Sequence, residues 1–264
     1  MGYNILIMIC QNCGLSGHHF MKCYKPRTSF GVILYHYVDN ELKLLMIRRK
    51  HTIGFIQIIR GKYMRTDSTY LTTLFNVLTN FEVELIKTKP FKDLWEYVWM
   101  EKYFNTRTSP HLTTSFVRAR EKFNALDRAV FISSRTTNYV DQEWGFPKGK
   151  KNPKESNVNT AKRELAEESG IEALDIEMLP KKFEEKYTSY DGLEYNNIYY
   201  VAKYTGDAVD FVISNRREQL TEVSDIKFLS INECLDKIRN YSKQKRLLVG
   251  KISNFLDRRR NFLV

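Results

Sequence analysis

The chain has 264 residues, with 42 Lys and Arg against 31 Asp and Glu, a net charge of +11, and 13% aromatic residues. That length supports a full core and one large or two small domains, and no segment reaches the ~20 apolar residues of a membrane helix, which excludes a helical spanning protein. The basic balance suits a polyanion such as RNA, bound in a salt-dependent way, with solubility as the plainer use of the same charge.

The start, Met1 to Ile9, lacks a basic leader region and reads as a strand rather than a signal peptide. Gly2 suggests myristoylation, but Leu6 stands where Ser or Thr is needed. Cys10-x2-Cys13-x4-His18-x4-Cys23 follows. Three thiolates and one imidazole satisfy tetrahedral Zn²⁺, and a loop clamped this way needs no core of its own. Gly14 and Gly17 supply tight turns; adjacent His19 could compete as a ligand, but the spacing favours His18. The spacing is that of a CCHC zinc knuckle. Knuckles of this kind hold single-stranded nucleic acid by stacking an aromatic or apolar residue on a base, here Phe20 or Leu15. The alternative is a purely structural clamp. The fourth cysteine, Cys234, sits in an amphipathic pattern and reads as a buried thiol, consistent with a reducing compartment.

A β-rich run from Thr28, a turn at Asp39-Asn40 and a returning strand from Leu42 to Arg49 make a hairpin. Residues 52–127 then show helical periodicity, with Leu71, Leu74, Phe75 and Leu78, and later Phe91, Leu94, Trp95, Val98 and Trp99. This predicts a helical insertion in which Trp95 and Trp99 share a core-facing side. Its Lys87, Lys89, Lys92, Lys102, Arg107, Arg118, Arg120 and Lys122 form either an RNA platform or an ordinary solvated face.

Residues 142–149 read Gln-Glu-Trp-Gly-Phe-Pro-Lys-Gly and lead into the segment with the most chemistry. It holds Gly149, Glu155, Arg163-Glu164-Leu165, Glu167-Glu168 and Gly170-Ile171. Ser156 or Asn157 can cap a helix running to about Ser169, and Gly170 supplies a left-handed stop. At about 100° per residue Glu164, Glu167 and Glu168 share one narrow arc, with Val158, Ala161 and Leu165 on an adjacent arc facing a sheet. Three neighbouring carboxylates repel unless a cation sits among them, and Mg²⁺ or Mn²⁺ takes all-oxygen ligands of this kind. Strands at 183–190 and 197–204, joined at Asp191-Gly192, follow the segment. Thr221-Glu222-Val-Ser-Asp-Ile-Lys-Phe-Leu comes next, and a terminal helix begins near Ile231 with a basic end at Lys251 and Arg258 to Arg260.

Residues 149–171 match every position of the Nudix box, G-x5-E-x7-R-E-U-x-E-E-x-G-U. The chain therefore resembles Nudix hydrolases, and the fold class implied is α/β, an α-β-α Nudix sandwich with a mixed sheet, plus a mainly helical inserted lobe and a small zinc knuckle. The boundaries expected are 1–27 for the knuckle, 28–51 for the first Nudix strands, 52–127 for the insertion and 128–264 for the Nudix core. The resemblance assigns metal binding to Glu167 and Glu168, a further ligand or acid-base role to Glu164, and a metal-bound carbonyl to Gly149. It makes Glu155 and Arg163 an orienting pair and lets Lys148 reach substrate phosphates. Trp144-Gly-Phe-Pro-Lys-Gly-Lys150, Leu94-Trp95-Glu-Tyr-Val-Trp-Met-Glu and Tyr190-Asp-Gly-Leu-Glu-Tyr195 resemble the mRNA-decapping Nudix enzymes of large cytoplasmic DNA viruses over residues 28–255. In decapping enzymes a Glu-Ile-x-x-Ile-x-Trp segment carries a metal-site or general-base glutamate. The matching position here is Glu222, with Phe228 in place of Trp.

The function implied is metal-dependent decapping of RNA in the host cytoplasm, releasing m7GDP and leaving 5′-monophosphate RNA. The cofactors would be Mg²⁺ or Mn²⁺ for catalysis and Zn²⁺ in the knuckle. A second reading is a pyrophosphohydrolase of diphosphoinositol polyphosphates or nucleotides. A third, a non-catalytic RNA-binding scaffold, fits poorly with an intact Glu164, Glu167 and Glu168 set.

Overall fold

The computed structural model describes residues 9–103, 110–189, 192–206 and 217–261. The expected strand before Ile9, the last residue of the expected strand 183–190 (Tyr190) and the turn residue Asp191 lie outside them. The chain divides into two compact units, one of Met1–Ile47, Gly145–Val212 and Ile226–Val264, the other of Arg48–Trp144 and Ile213–Asp225. No helix among the described residues is long and apolar enough to cross a membrane.

Among the described residues the sheet is mixed and seven-stranded. Its strands are β1 (Arg27–Val38), β2 (Glu41–Arg49), β3 (Trp144–Gly145), β4 (Lys148–Gly149), β5 (Ile176–Thr188), β6 (Glu194–Tyr204) and β7 (Val223–Ser230). The order is β3-β2-β1-β6-β5, with β4 paired to β1 and β7 to β2. The hairpin β1–β2 turns at Asp39 and Asn40, both with positive φ (50° and 66°), the backbone that a tight two-residue turn with the strands' own twist demands and that Asp and Asn tolerate. β1 runs parallel to β6, from Arg27↔Tyr195 to Tyr35↔Lys203, so it is buried along Phe30 to Tyr35, the continuous apolar run expected of a strand covered on both faces.

In the second unit, helices α1 (Ile53–Ile59), α2 (Ser68–Asn76), α3 (Asn80–Thr88), α4 (Phe91–Tyr103), α5 (Pro110–Asn124) and α6 (Arg128–Ser133) enclose a core of their own. Phe55, Leu71, Phe75, Leu78, Phe91, Leu94 and Phe123 are all buried in it. Trp95 packs against this core, and its ring lies 5.8 Å from that of Trp99. Helical content continues past residue 127 through α6. A buried Glu82 closes a capping box on Thr79 and accepts from both the amide and the hydroxyl of Thr52, each at 2.7 Å. Burial alone would penalise that carboxylate, and three donors from two helix starts, the Thr52 amide and hydroxyl and the Thr79 amide, offset part of that cost. Lys122 is no spare phosphate contact. Its ammonium donates to the carbonyls of Gly61 (3.0 Å) and Tyr63 (2.9 Å), at a turn where Gly61 takes the left-handed conformation.

The first unit continues with α7 (Asn157–Ser169) and ends in α9 (Ile231–Lys237) and α10 (Lys243–Asn261); the short α8 (Arg217–Glu222) belongs to the second. The single terminal helix expected from Ile231 is thus two. Ile238 is buried with extended backbone (φ −74°, ψ 122°), and Arg246 donates back to the Leu235 and Ile238 carbonyls, satisfying the end of α9.

Candidate active site

The acidic segment folds as its residue types require. Ser156 caps α7 by accepting from the Asn159 amide at 3.1 Å, worth about 1 kcal/mol, and Gly170 ends it in the left-handed region (φ 80°). Ala161 and Leu165 are fully buried on the sheet side, and burial of Leu165 alone stabilises by roughly 2 kcal/mol. Glu164, Glu167 and Glu168 are left half-buried on the neighbouring side.

Arg163 sits among the carboxylates. Its Nη1 donates to Glu164 Oε1 and Glu167 Oε2, both at 2.8 Å, and its Nε and Nη2 form a fork on Glu155 at 2.9 and 3.1 Å. Nη2 also reaches the Lys150 carbonyl at 3.0 Å, tying the helix to the strand-loop before it. Glu168 is anchored differently: its Oε2 accepts from the Lys148 backbone amide at 2.8 Å. Lys148 therefore touches the acidic side through its main chain. A Cβ at Gly149 would fall on the Glu164 carboxylate, so any side chain there would displace that glutamate. The carbonyl-bearing backbone of β4 and the box glutamates are consequently in direct contact.

The Arg163 hydrogen bond holds the Glu155 carboxyl down to about 2, from its usual value of about 4.5, with the Asn152 amide and Thr160 hydroxyl adding to it. The folded state thus favours the ionised form. The stabilisation is complete above about pH 4.5 and is lost as pH falls through 2. Between pH 5 and pH 3 the melting temperature of the wild-type protein should fall more steeply than that of Glu155→Gln; equal slopes would show that this pair contributes nothing.

Glu222 closes α8 and is exposed; its carbonyl accepts from the Lys50 amide at 2.9 Å. It belongs to the second unit, whereas the box belongs to the first.

The N-terminal motif forms a second cluster in the first unit. The ligand atoms of Cys10, Cys13, His18 and Cys23 all lie within 4.8 Å of one another, with Cys13 Sγ 3.4 Å from His18 Nε2. A tetrahedral ion with ~2.3 Å Zn–S bonds has S···S edges near 3.8 Å, so the donor set and its spacing fit Zn²⁺. Gly14 (φ 75°) and Gly17 (φ 92°) make the turns. Asn12 donates to Cys23 Sγ at 3.2 Å, and that bond, with help from His18, brings the thiol down to about 6, so that a thiolate is favoured. Asn12 also donates to the Pro26 carbonyl (2.9 Å) and accepts from the Thr28 amide (3.0 Å), fastening the cluster to the start of β1. Phe20 is half-buried between Arg27 and Lys150, 5.7 and 5.6 Å from its ring. Leu15 is exposed, and so is Tyr24, at 74%. Tyr24 directly follows the last cysteine of the motif. Cys234 is buried and pushed up to about 12, an inert thiol.

The sequence model of the NUDIX domain matches residues 109–248, more than half of the chain. The chain belongs to the Nudix family. This Nudix chain is a pyrophosphohydrolase by class. It is 24% identical to a protein of Acanthamoeba polyphaga mimivirus provisionally named an mRNA-decapping protein, over 94% of each chain. It is also 24% identical to mRNA-decapping protein g5R of African swine fever virus, over 87% of this chain and 96% of the relative. Among solved structures it is similar to the C. elegans Ap4A hydrolase binary complex, at 13% identity and a TM-score of 0.45, covering 87% of this chain and 97% of that one.

Proposed function

We propose that this Nudix enzyme removes the cap of RNA, hydrolysing the triphosphate bridge to release m7GDP and leave 5′-monophosphate RNA. The observation that carries the reading is an intact box, Gly149 to Ile171, in a chain that aligns along nearly the whole length of relatives named for mRNA decapping. The bond broken joins the phosphate on the RNA 5′ end to its neighbour. A water oxygen bonds to phosphorus, the bridging oxygen leaves on the other phosphate, and the water's protons pass to base and solvent.

Glu164, Glu167 and Glu168, with the Gly149 carbonyl, offer the all-oxygen donors that Mg²⁺ or Mn²⁺ takes. When bound, such an ion polarises the anhydride, lowers the pKa of a bound water and neutralises the leaving phosphate. Glu168 is held for this role by the Lys148 amide and Glu164 by contact with Gly149. Arg163 holds Glu164 and Glu167 apart from mutual repulsion and is itself fixed by Glu155. Lys148 supplies charge toward substrate phosphates. Zn²⁺ in the Cys10, Cys13, His18 and Cys23 site would fix the knuckle as an RNA contact through Leu15 and Tyr24. The place of action is the host cytoplasm.

The net charge of +11 also suits a diphosphoinositol polyphosphate or a nucleotide. Competition separates the two readings. Uncapped RNA of the same length should inhibit release from cap-labelled RNA at lower concentration than an inositol polyphosphate does. The reverse order would favour the small polyphosphate.

A further inference from the structure

The β5–β6 ladder carries a group of polar and aromatic side chains that the phosphate chemistry does not use. Its register pairs Tyr187 with Tyr195, Glu185 with Asn197 and Phe183 with Tyr199. Strand alternation puts all six on one face. At the hairpin end Tyr187 and Tyr195 are stacked, with ring centroids 5.3 Å apart and planes 7° from parallel, and Tyr187 remains 37% exposed.

Directly behind them lie two acceptors short of donors. Glu185 Oε2 accepts from Asn197 Nδ2 (2.8 Å) and from the Tyr199 hydroxyl (3.1 Å), while its Oε1 takes no hydrogen bond among the described residues. The bond to Glu185 fixes which way the Asn197 amide points, and leaves its Oδ1 buried without a partner in a residue only 1% exposed. A buried acceptor left unmade costs about 1–3 kcal/mol, so Asn197 Oδ1 is an expensive arrangement unless something donates to it. The group is also connected to the box. Tyr199 packs edge-on against Phe146, 5.5 Å away, in the approach to Gly149, and the charges of both Glu185 and Glu168 act on its hydroxyl.

We infer that Tyr187, Tyr195, Glu185 and Asn197 form the site for the guanine base of the substrate. This rests on the decapping reading. The Watson–Crick edge of guanine presents two adjacent N–H donors, N1–H and the N2 amino group, which match two neighbouring acceptors. Adenine places an acceptor, N1, beside its amino donor and sets acceptor against acceptor. Stacking on a tyrosine face and a nearby carboxylate both favour the cationic 7-methylated ring over the neutral one.

The test measures kcat/KM of the full chain on RNA carrying 7-methylguanosine or adenosine through the same triphosphate bridge. The guanosine cap should be preferred by about tenfold to a hundredfold, as a site built on paired hydrogen bonds implies. In Glu185→Gln the amide oxygen would keep the bonds from Asn197 and Tyr199 and turn its –NH2 toward the base, so the preference should collapse toward parity. Tyr187→Ala, at a partly exposed position, should raise KM for the guanosine cap, and Tyr187→Trp should restore it. It decides the matter if Glu185→Gln fails to fold. Release of neither cap by the wild-type protein would overturn decapping and this site together. Equal release of both, an unchanged preference in Glu185→Gln, or an unchanged KM in Tyr187→Ala would overturn the base site alone.

Discussion

Glu168→Gln is expected to lower the rate of cap hydrolysis by about 10²–10³-fold, the loss typical when one preorganised electrostatic contact to the reacting phosphate is removed. The change is nearly isosteric, and the Gln carbonyl can still accept from the Lys148 amide that now holds Oε2, so the loop stays in place and RNA binding should remain within a few-fold of wild type. Glu167→Gln should behave alike, since Arg163 remains fixed by its fork on Glu155. Single-turnover hydrolysis of cap-labelled RNA beside a filter-binding titration separates the two properties. Full activity in either variant would remove these glutamates from the site.

The second large effect concerns the N-terminal cluster. Structural zinc contributes about 10–16 kcal/mol of binding to small domains of this kind, which have no core to fall back on. Cys13→Ser, or a chelator, should therefore release residues 10–23, read as lost protection of their amides in hydrogen exchange. Each base stacked on an aromatic is worth ~1–3 kcal/mol, so loss of the Tyr24 and Leu15 contacts should raise KM for long capped RNA by about tenfold. Hydrolysis of a short polyphosphate should change less, although Phe20 beside Lys150 gives the knuckle some hold on the loop after Gly149. Equal losses on both substrates would mean that the knuckle only supports the fold.

What could be read from the sequence was local. Helix α7, its Ser156 cap and its Gly170 stop follow from spacing within one segment, and so does the closeness of Cys10, Cys13, His18 and Cys23. The hairpin at Asp39-Asn40 was legible for the same reason: two residues suited to positive φ between two apolar runs. The remainder depends on partners far apart in the chain. β5 begins at Ile176 rather than near 183 because Pro180 and a register shift between Met178 and Lys182 spoil its alternation. The break between α9 and α10 needs Arg246 to reach the carbonyls of Leu235 and Ile238, a contact that helical periodicity cannot announce. Lys122 looked like part of a basic face, yet its ammonium is engaged by two carbonyls some sixty residues earlier. Glu185 carried no motif at all. Only the pairing of β5 with β6 brings it to Asn197 and Tyr199.

The most direct measurement of the central claim is product identification. RNA labelled in the cap is incubated with the full chain and Mg²⁺ or Mn²⁺, and both ends of the cut are analysed. The account predicts m7GDP together with RNA that a 5′-monophosphate-dependent exonuclease degrades. Release of m7GMP, leaving a 5′-diphosphate end, or an intact cap beside rapid hydrolysis of diphosphoinositol polyphosphates, would contradict it.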